Sequence, residues 1–215
     1  MATLHLFLIL FLSYLAGSFP SSIVIGKLFF KTDIREHGSG NAGGTNAVRV
    51  FGWPAGTAVI LIDIAKGACA VLFIARLPLF GTADVPLLPS DAAALLAGIT
   101  AVAGHIWTVF ASFRGGKGVA TAAGMVAALY PFGFAGALLF FVLGVAVTGT
   151  VSVGSLAAAV SFPAVLVVAE HIGIASTSPL LTWVSIPIAL LIIFTHRGNI
   201  ARLLRGEERR MFGRK

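Results

Sequence analysis

The sequence predicts an all-α fold, a polytopic membrane helix bundle with seven transmembrane helices, the amino terminus outside and the carboxyl terminus cytoplasmic. Three observations carry this expectation. Hydrophobic residues make up 58% of the 215 residues and charged residues only 11%, too little polar surface to cover a body dissolved in water. The apolar runs approach or exceed the roughly 20 residues that a helix needs to cross a bilayer. The basic residues, finally, are sorted to one side of those runs.

Reading apolar windows against turn residues gives the segments in order. The first, Leu4–Phe30, has no Lys or Arg in its opening dozen residues and is long. It therefore reads as an uncleaved helix, although LAGS at 15–18 weakly resembles a processing site. The second, Pro54–Ala75, carries Asp63 and Lys66 inside the apolar span. Three residues apart on a helix, they can pair and offset the penalty for ionisable groups in lipid. The third is Asp91–Phe110. The fourth, Gly116–Tyr130, has an apolar part shorter than a standard crossing, which fits a start inside the preceding polar stretch, a tilt among neighbours or a re-entrant piece. Phe132–Val147, Leu156–Ile172 and Leu180–Thr195 complete the set.

Seven crossings put Lys27, Lys31, Arg35 and Arg49 in the first cytoplasmic loop, Arg114 and Lys117 in the second, and every basic residue from Arg197 to Lys215 in the tail. Only Lys66 and Arg76 fall elsewhere, as the sorting of basic residues to the cytoplasmic side requires. The net charge of +7 then lies beside the membrane, where it meets anionic headgroups or anionic small molecules. Nucleic acid is not an expected partner. The single cysteine, Cys69, excludes an intramolecular disulfide framework and a cysteine-rich metal site. With no soluble domain, long linker or repeat, residues 1–215 read as one membrane-embedded domain, 196–215 being a basic cytoplasmic tail.

Three polar islands interrupt the helices, all expected on the cytoplasmic face. In Ser39–Arg49 (SGNAGGTNAVR), Gly38 just before it and Gly40, Gly43 and Gly44 within it let the backbone turn and approach a ligand. Ser39, Asn41, Thr45 and Asn46 add short polar side chains, and Arg49 adds a cation able to grip an oxyanion with two hydrogen bonds. In the second island, Gly104–Thr121, FRGGKG sets Lys117 among glycines at the start of a helix, where amides and the helix dipole favour phosphate. It is not a Walker A loop, because Gly118 follows the lysine and no strand precedes it. His105 fits two roles, a hydrogen-bonded helix-end residue or a direct contact, and Trp107, Phe110 and Phe113 read as an interfacial anchor. No other His or carboxylate has metal-ligand spacing with it.

The third island starts as the seventh segment ends. His196, Asn199, Arg202 and Arg205 recur at intervals of three, so a continued helix carries them along one face, with Glu207 and Glu208 as partners for that basic face. A fourth, smaller feature, TGTVSVGS at 148–155, adds hydroxyls that include Ser155. A phosphate ester suits such a gathering, and the bilayer supplies a second substrate with an acyl chain. No convincing nucleophile-base arrangement, tandem carboxylates or metal cluster is present, which leaves chemistry by positioning and charge stabilisation. A transporter for an anionic metabolite is the rival, although alternating access favours a site near the midplane.

These stretches closely resemble the signature motifs of the bacterial acyl-phosphate:glycerol-3-phosphate acyltransferase family of membrane enzymes. S-G-N-x-G-x-T-N-x-x-R is present as Ser39–Arg49, G-G-K-G-V-A-T as Gly115–Thr121 and H-x-x-N-I-x-R-L as His196–Leu203, and the DIAKG stretch at Asp63–Gly67 matches as well. The resemblance implies transfer of a long-chain acyl group from acyl phosphate to the sn-1 hydroxyl of glycerol 3-phosphate, in the bacterial inner membrane and with no cofactor. It implies that Ser39, Thr45, Arg49, Lys117, Ser155, His196 and Asn199 line the substrate pocket, with Gly115 and Gly116 presenting backbone to phosphate. Asn41, Asn46 and His105 join them as candidate substrate contacts. Ser39, Arg49, Lys117, His196 and Asn199 are the candidate catalytic set.

Overall fold

A computed structural model of the chain describes residues 2–78, 88–174 and 179–211. It divides into two compact units, Met1–Leu129 and Tyr130–Lys215, and ten α-helices run through the described residues. The last basic residues of the tail, Arg214 and Lys215, lie outside them.

In the first unit the expected Leu4–Phe30 helix is two helices, α1 (Ala2–Ser18) and α2 (Ser21–Phe29). The chain breaks at Phe19–Pro20 because Pro20 has no N–H to donate and turns the residue before it away from the helical region. A further helix, α3 (Gly44–Phe51), forms inside the first polar island. Then come α4 (Trp53–Leu72), α5 (Ser90–Ile106) and α6 (Val119–Leu129). The last is 11 residues long, a rise of about 16 Å, which accounts for the short apolar signal of the fourth segment.

Lipid tails are as apolar as leucine, so helices in a bilayer associate through close backbone packing rather than through burial from water. Glycine supplies that closeness here. A Cβ on Gly67 of α4 would land on the Thr121 carbonyl of α6, and one on Gly124 of α6 would land on the Ile64 carbonyl of α4. The α1–α5 contact is built the same way, with Gly17 against the Ala101 carbonyl and Gly104 against the Tyr14 carbonyl.

The second unit opens with α7 (Pro131–Thr148) and α8 (Val151–His171), joined by a turn at Gly149 and Thr150. Gly149 takes φ +68°, a left-handed cap that glycine adopts without penalty. The two helices approach closely where Gly144 meets Gly154. After α9 (Pro179–Thr195) the chain bends by 59° at His196 into α10 (Arg197–Leu204). The third island therefore does continue as a helix, but in a new direction.

Large apolar side chains cover the outside of both units, among them Phe7, Leu61, Phe73, Leu139, Val147 and Trp183. In water such a surface would drive aggregation, whereas in a bilayer it faces the solvent it is made for. Among the described residues five helices are long and apolar enough to cross, and six if the bent α9–α10 pair counts as one span. The protein is thus an all-α, polytopic membrane helix bundle.

Close packing of this kind predicts a sharp contrast between glycines. Gly67→Val places its branched side chain on the α6 backbone and should destabilise the detergent-solubilised protein by about 2 kcal/mol or more. Gly198→Ala, where a Cβ meets only the Arg202 guanidinium at 3.7 Å, should be neutral or slightly stabilising. Thermal unfolding monitored by circular dichroism reads both, and equal Tm values for the two variants would refute the packing account.

Candidate active site

The first island is organised around one amide. Asn46, 2% exposed, sits in the first turn of α3 and uses its whole side chain on the loop before it. Its Oδ1 accepts from the Ser39 N–H at 2.9 Å, and its Nδ2 is shared among the carbonyls of His37 (3.0 Å), Asn41 (3.1 Å) and Ile34 (3.3 Å). Gly38, at φ +62°, is required beside it, since a Cβ there would strike the Asn46 amide oxygen. The same loop is tied outward by Ser22, which donates to the Ala42 carbonyl at 2.7 Å. Ser39 is exposed while Asn41, Thr45 and Arg49 are half-buried, and Asn46 holds the shape of the loop that precedes it.

Arg35 joins this loop to the second island. Its guanidinium donates to Asp33 at 2.7 and 3.0 Å and to the Ala111 carbonyl at 3.0 Å. Hydrogen bonding from Arg35 holds the Asp33 carboxyl below the usual carboxylate range, against a smaller opposing effect of burial.

The second island leaves α5 and doubles back. Ser112 and Phe113 both adopt left-handed backbone, at φ 56° and 58°, a conformation costing roughly 1–2 kcal/mol per non-glycine residue. The turn brings Gly115 and Gly116 against the end of α5, where their N–H groups donate to the carbonyls of Ile106 (3.0 Å) and His105 (3.1 Å). Both amides therefore point inward. What the two glycines give the site is closeness, because a Cβ on Gly115 would land on the His105 carbonyl and one on Gly116 on the His105 ring. Amides with no partner inside a helix come next along the chain, in the first turn of α6, entered through Gly118 at φ +83°. Lys117 is half-buried beside that turn. Trp107, Phe110 and Phe113 are all exposed, as an interfacial anchor requires.

Beneath the two loops lies a small cleft lined by Ser21, Ala42, Lys66, His105, Gly115 and Gly116, with the Phe19–Pro20 break as part of its wall. The first two islands thus meet in one unit. The Asp63–Lys66 pair expected from sequence is present at 2.8 Å, but it extends further than sequence indicated, taking in Ser21, whose hydroxyl donates to Asp63 at 2.6 Å, the Phe19 carbonyl and the His105 ring.

In the second unit His196 is buried at the α9–α10 bend, its Nδ1 2.8 Å from the Ile192 carbonyl. A carbonyl only accepts, so Nδ1 carries the proton and, in the neutral ring, Nε2 is the acceptor nitrogen. Asn199 and Arg202 both reach the side chain of Glu208, at 2.5 and 2.7 Å, and the Ser152 hydroxyl reaches it at 2.9 Å. Arg205 pairs with Glu207 at 2.7 Å, so both glutamates partner the basic face as expected. That second pair is exposed and contributes little. Ser155 is buried and donates back to the Val151 carbonyl at 3.0 Å.

Fold and sequence together define a class: an integral membrane helix bundle interrupted by polar, cation-bearing loops. Comparison with known proteins narrows this to a family. The glycerol-3-phosphate acyltransferase family model matches residues 7–206. Proteins named glycerol-3-phosphate acyltransferase from Chlorobaculum tepidum and Chlorobaculum parvum are 44% and 43% identical, each over 96% of this chain and 97% of the relative. A crystal structure of PlsY, an integral membrane glycerol 3-phosphate acyltransferase, in its glycerol 3-phosphate form superposes with a TM-score of 0.81. It is 36% identical over 97% of this chain and 96% of that one. The lysophosphatidic acid form of the same enzyme gives a TM-score of 0.78. This chain belongs to the glycerol-3-phosphate acyltransferase family.

The Glu208 cluster carries a pH signature. Burial pushes this carboxyl up, but hydrogen bonds from Asn199, Ser152 and Arg202 together outweigh it and leave Glu208 below the usual carboxylate range. A carboxyl depressed in the folded state stabilises fully above its unfolded value, and that contribution is lost as pH falls through the lowered one. Wild-type Tm in detergent should therefore decline between about pH 6 and pH 3, whereas Glu208→Gln should start lower at neutral pH and decline less. Parallel Tm profiles for the two proteins would exclude this role.

Proposed function

We infer that this chain carries out the first acylation of phospholipid synthesis, moving a fatty acyl group from a long-chain acyl phosphate to the sn-1 hydroxyl of glycerol 3-phosphate. The products are lysophosphatidic acid and inorganic phosphate. The observation that carries this reading is the near full-length likeness to an enzyme solved both with glycerol 3-phosphate and with lysophosphatidic acid, the acceptor and the product of one such step. Acyl phosphate as donor rests on the family motifs at Ser39–Arg49, Gly115–Thr121 and His196–Leu203.

The chemistry needs no protein nucleophile, because the acyl phosphate is already activated. The glycerol hydroxyl attacks the acyl carbonyl carbon directly, forming the new ester C–O bond as the bond to the phosphate oxygen breaks. The hydroxyl proton passes to a phosphate oxygen, which leaves as inorganic phosphate. Arg49 and Lys117 are the cations we assign to the two phosphates, each bearing roughly −1.5 to −2 charge if it behaves as a phosphomonoester. By motif position Ser39, Thr45, Ser155, His196 and Asn199 orient the reactants, and Asn41 and His105 add polar contacts. The geometry around Asn46 favours a different part for it, holding the loop that presents its neighbours. Positioning of this kind supplies much of an enzyme's rate.

We also read seven crossings: the five long helices, the bent α9–α10 pair, and α6 together with the extended residues leading into it. An odd count puts the two termini on opposite sides, and the distribution of basic residues sets the carboxyl terminus and the loops on the cytoplasmic face of the bacterial inner membrane, with the amino terminus outside.

Purified protein given palmitoyl phosphate and glycerol 3-phosphate should release inorganic phosphate and lysophosphatidic acid in equal amounts. Accumulation of labelled glycerol 3-phosphate in vesicles without acylation would instead establish a carrier. Arg49→Ala and Lys117→Ala should each lower kcat/KM about 100-fold or more while eluting from size exclusion like the wild type, and wild-type rates in either would remove the phosphate assignment. A covalent acyl-enzyme trapped on Ser39 or Ser155 during turnover would refute direct attack.

A further inference from the structure

Lys66 and Asp63 lie within α4, at 8% and 1% side-chain exposure, a costly location unless every donor is used. An ammonium has three donors and no acceptor. Three acceptors surround Lys66 Nζ: Asp63 Oδ1 at 2.8 Å, the Phe19 carbonyl at 2.9 Å and His105 Nδ1 at 3.2 Å. The ammonium can only give, so Nδ1 receives. Asp63 Oδ1, at 3.6 Å from Nδ1, is too far to draw a proton onto it. The ring hydrogen of His105 therefore belongs on Nε2.

Gly116 of the second island lies against that nitrogen. A Cβ at position 116 would land on it, so only glycine lets the second island pack this close to the ring. His105 is 6% exposed, and none of its hydrogen bonds to the described residues uses Nε2. The ring, Lys66, Ala42 of the first island and Gly115 and Gly116 of the second border the same cleft.

We propose that Lys66 is a positioning residue: its ammonium fixes His105 as the Nε2–H tautomer, and this N–H donates to a phosphate-monoester oxygen of a substrate held between the first and second islands. The inference rests on the acyl-transfer reading of the site and adds to it a specific donor and the group that orients it. The Asp63–Lys66 pair is thereby more than charge compensation in lipid. It sets the direction in which a buried imidazole donates.

The test uses the full-length protein in detergent micelles with ¹⁵N-labelled histidine, His105 being assigned by comparison with His105→Gln. Long-range ¹H–¹⁵N spectra should find His105 protonated on Nε2 and bare on Nδ1 in the wild type. Titration with glycerol 3-phosphate, or separately with a non-hydrolysable palmitoyl phosphonate, should move the Nε2 resonance, and the ligand that moves it identifies which phosphate is held. In Lys66→Met the fixed tautomer should be lost and kcat/KM should fall about 10- to 100-fold, the worth of one hydrogen bond to a charged group. Because Lys66 acts through His105, the Lys66→Met/His105→Gln double variant should lose no more activity than His105→Gln alone.

Protonation of His105 on Nδ1 in the wild type would overturn the proposal even if every Lys66 variant failed to fold. Losses that multiply in the double variant, or a Nε2 resonance unmoved by both ligands, would overturn it too. Failure of the acyl-transfer reading is read separately, as wild-type protein that forms no lysophosphatidic acid.

Discussion

A broken helix inside a bilayer has to find partners for the backbone it exposes, and the hydrocarbon offers none. The first hydrophobic segment breaks at Phe19–Pro20, and the ion pair on α4 secures the break. Lys66 donates to the Phe19 carbonyl while Asp63 accepts from the hydroxyl of Ser21, the first residue of α2. Each charged group is tolerated because the other neutralises it, and the break is tolerated because both supply its hydrogen bonds. The Thr108 hydroxyl, donating to the Ser18 carbonyl, and the Tyr14 hydroxyl, donating to the Trp107 carbonyl at 2.5 Å, fasten the second island to the same end of α1. The polar loops thus flank a break whose backbone is partnered by several side chains, the ion pair among them.

Glycine does two separate jobs in this framework. Between helices it removes side chains so that backbones meet, as at Gly67 and Gly124, and this fixes α4 against α6 without any hydrophobic drive. In the loops it removes side chains so that the chain can fold tightly onto its own polar groups, as at Gly38 against Asn46. Gly116 illustrates the second case, since its N–H is used within the turn and its missing Cβ lets the backbone lie directly on the His105 ring. The strain at Ser112 and Phe113 belongs with this arrangement, because two left-handed residues in succession turn the chain back onto α5 within a few residues.

Hydropathy made the long helices legible, and spacing on a helix made the Asp63–Lys66 pair and the partnering of Glu207 and Glu208 with the arginines legible. The break at Phe19–Pro20 was hidden because both halves are equally apolar, so a window average passes over a single proline. Helix α3 was hidden behind the glycines at its own start. The participation of His105 in the ion pair joins residues 39 positions apart on different helices, and nothing in local sequence records such a meeting. The inward amides of Gly115 and Gly116 escaped for a related reason: a glycine-rich run reports that backbone can come close to something, not which way its N–H groups point.

The serines bear on the chemistry by their surroundings. A serine nucleophile needs a base within hydrogen-bond reach. Ser155 instead donates to the Val151 carbonyl within its own helix, and the loop held by Asn46 fixes Ser39 through its backbone N–H, with its side chain at the surface. Neither hydroxyl meets a histidine among the described residues. A site that holds both substrates and steadies their charge can leave bond-making to an acceptor hydroxyl and a donor that is already activated. The groups such a site must supply are donors and cations fixed in direction. The order of constraint then runs from lipid to chemistry: the bilayer demands that a buried ammonium be fully partnered, and that partnering orients the imidazole nearest the cleft.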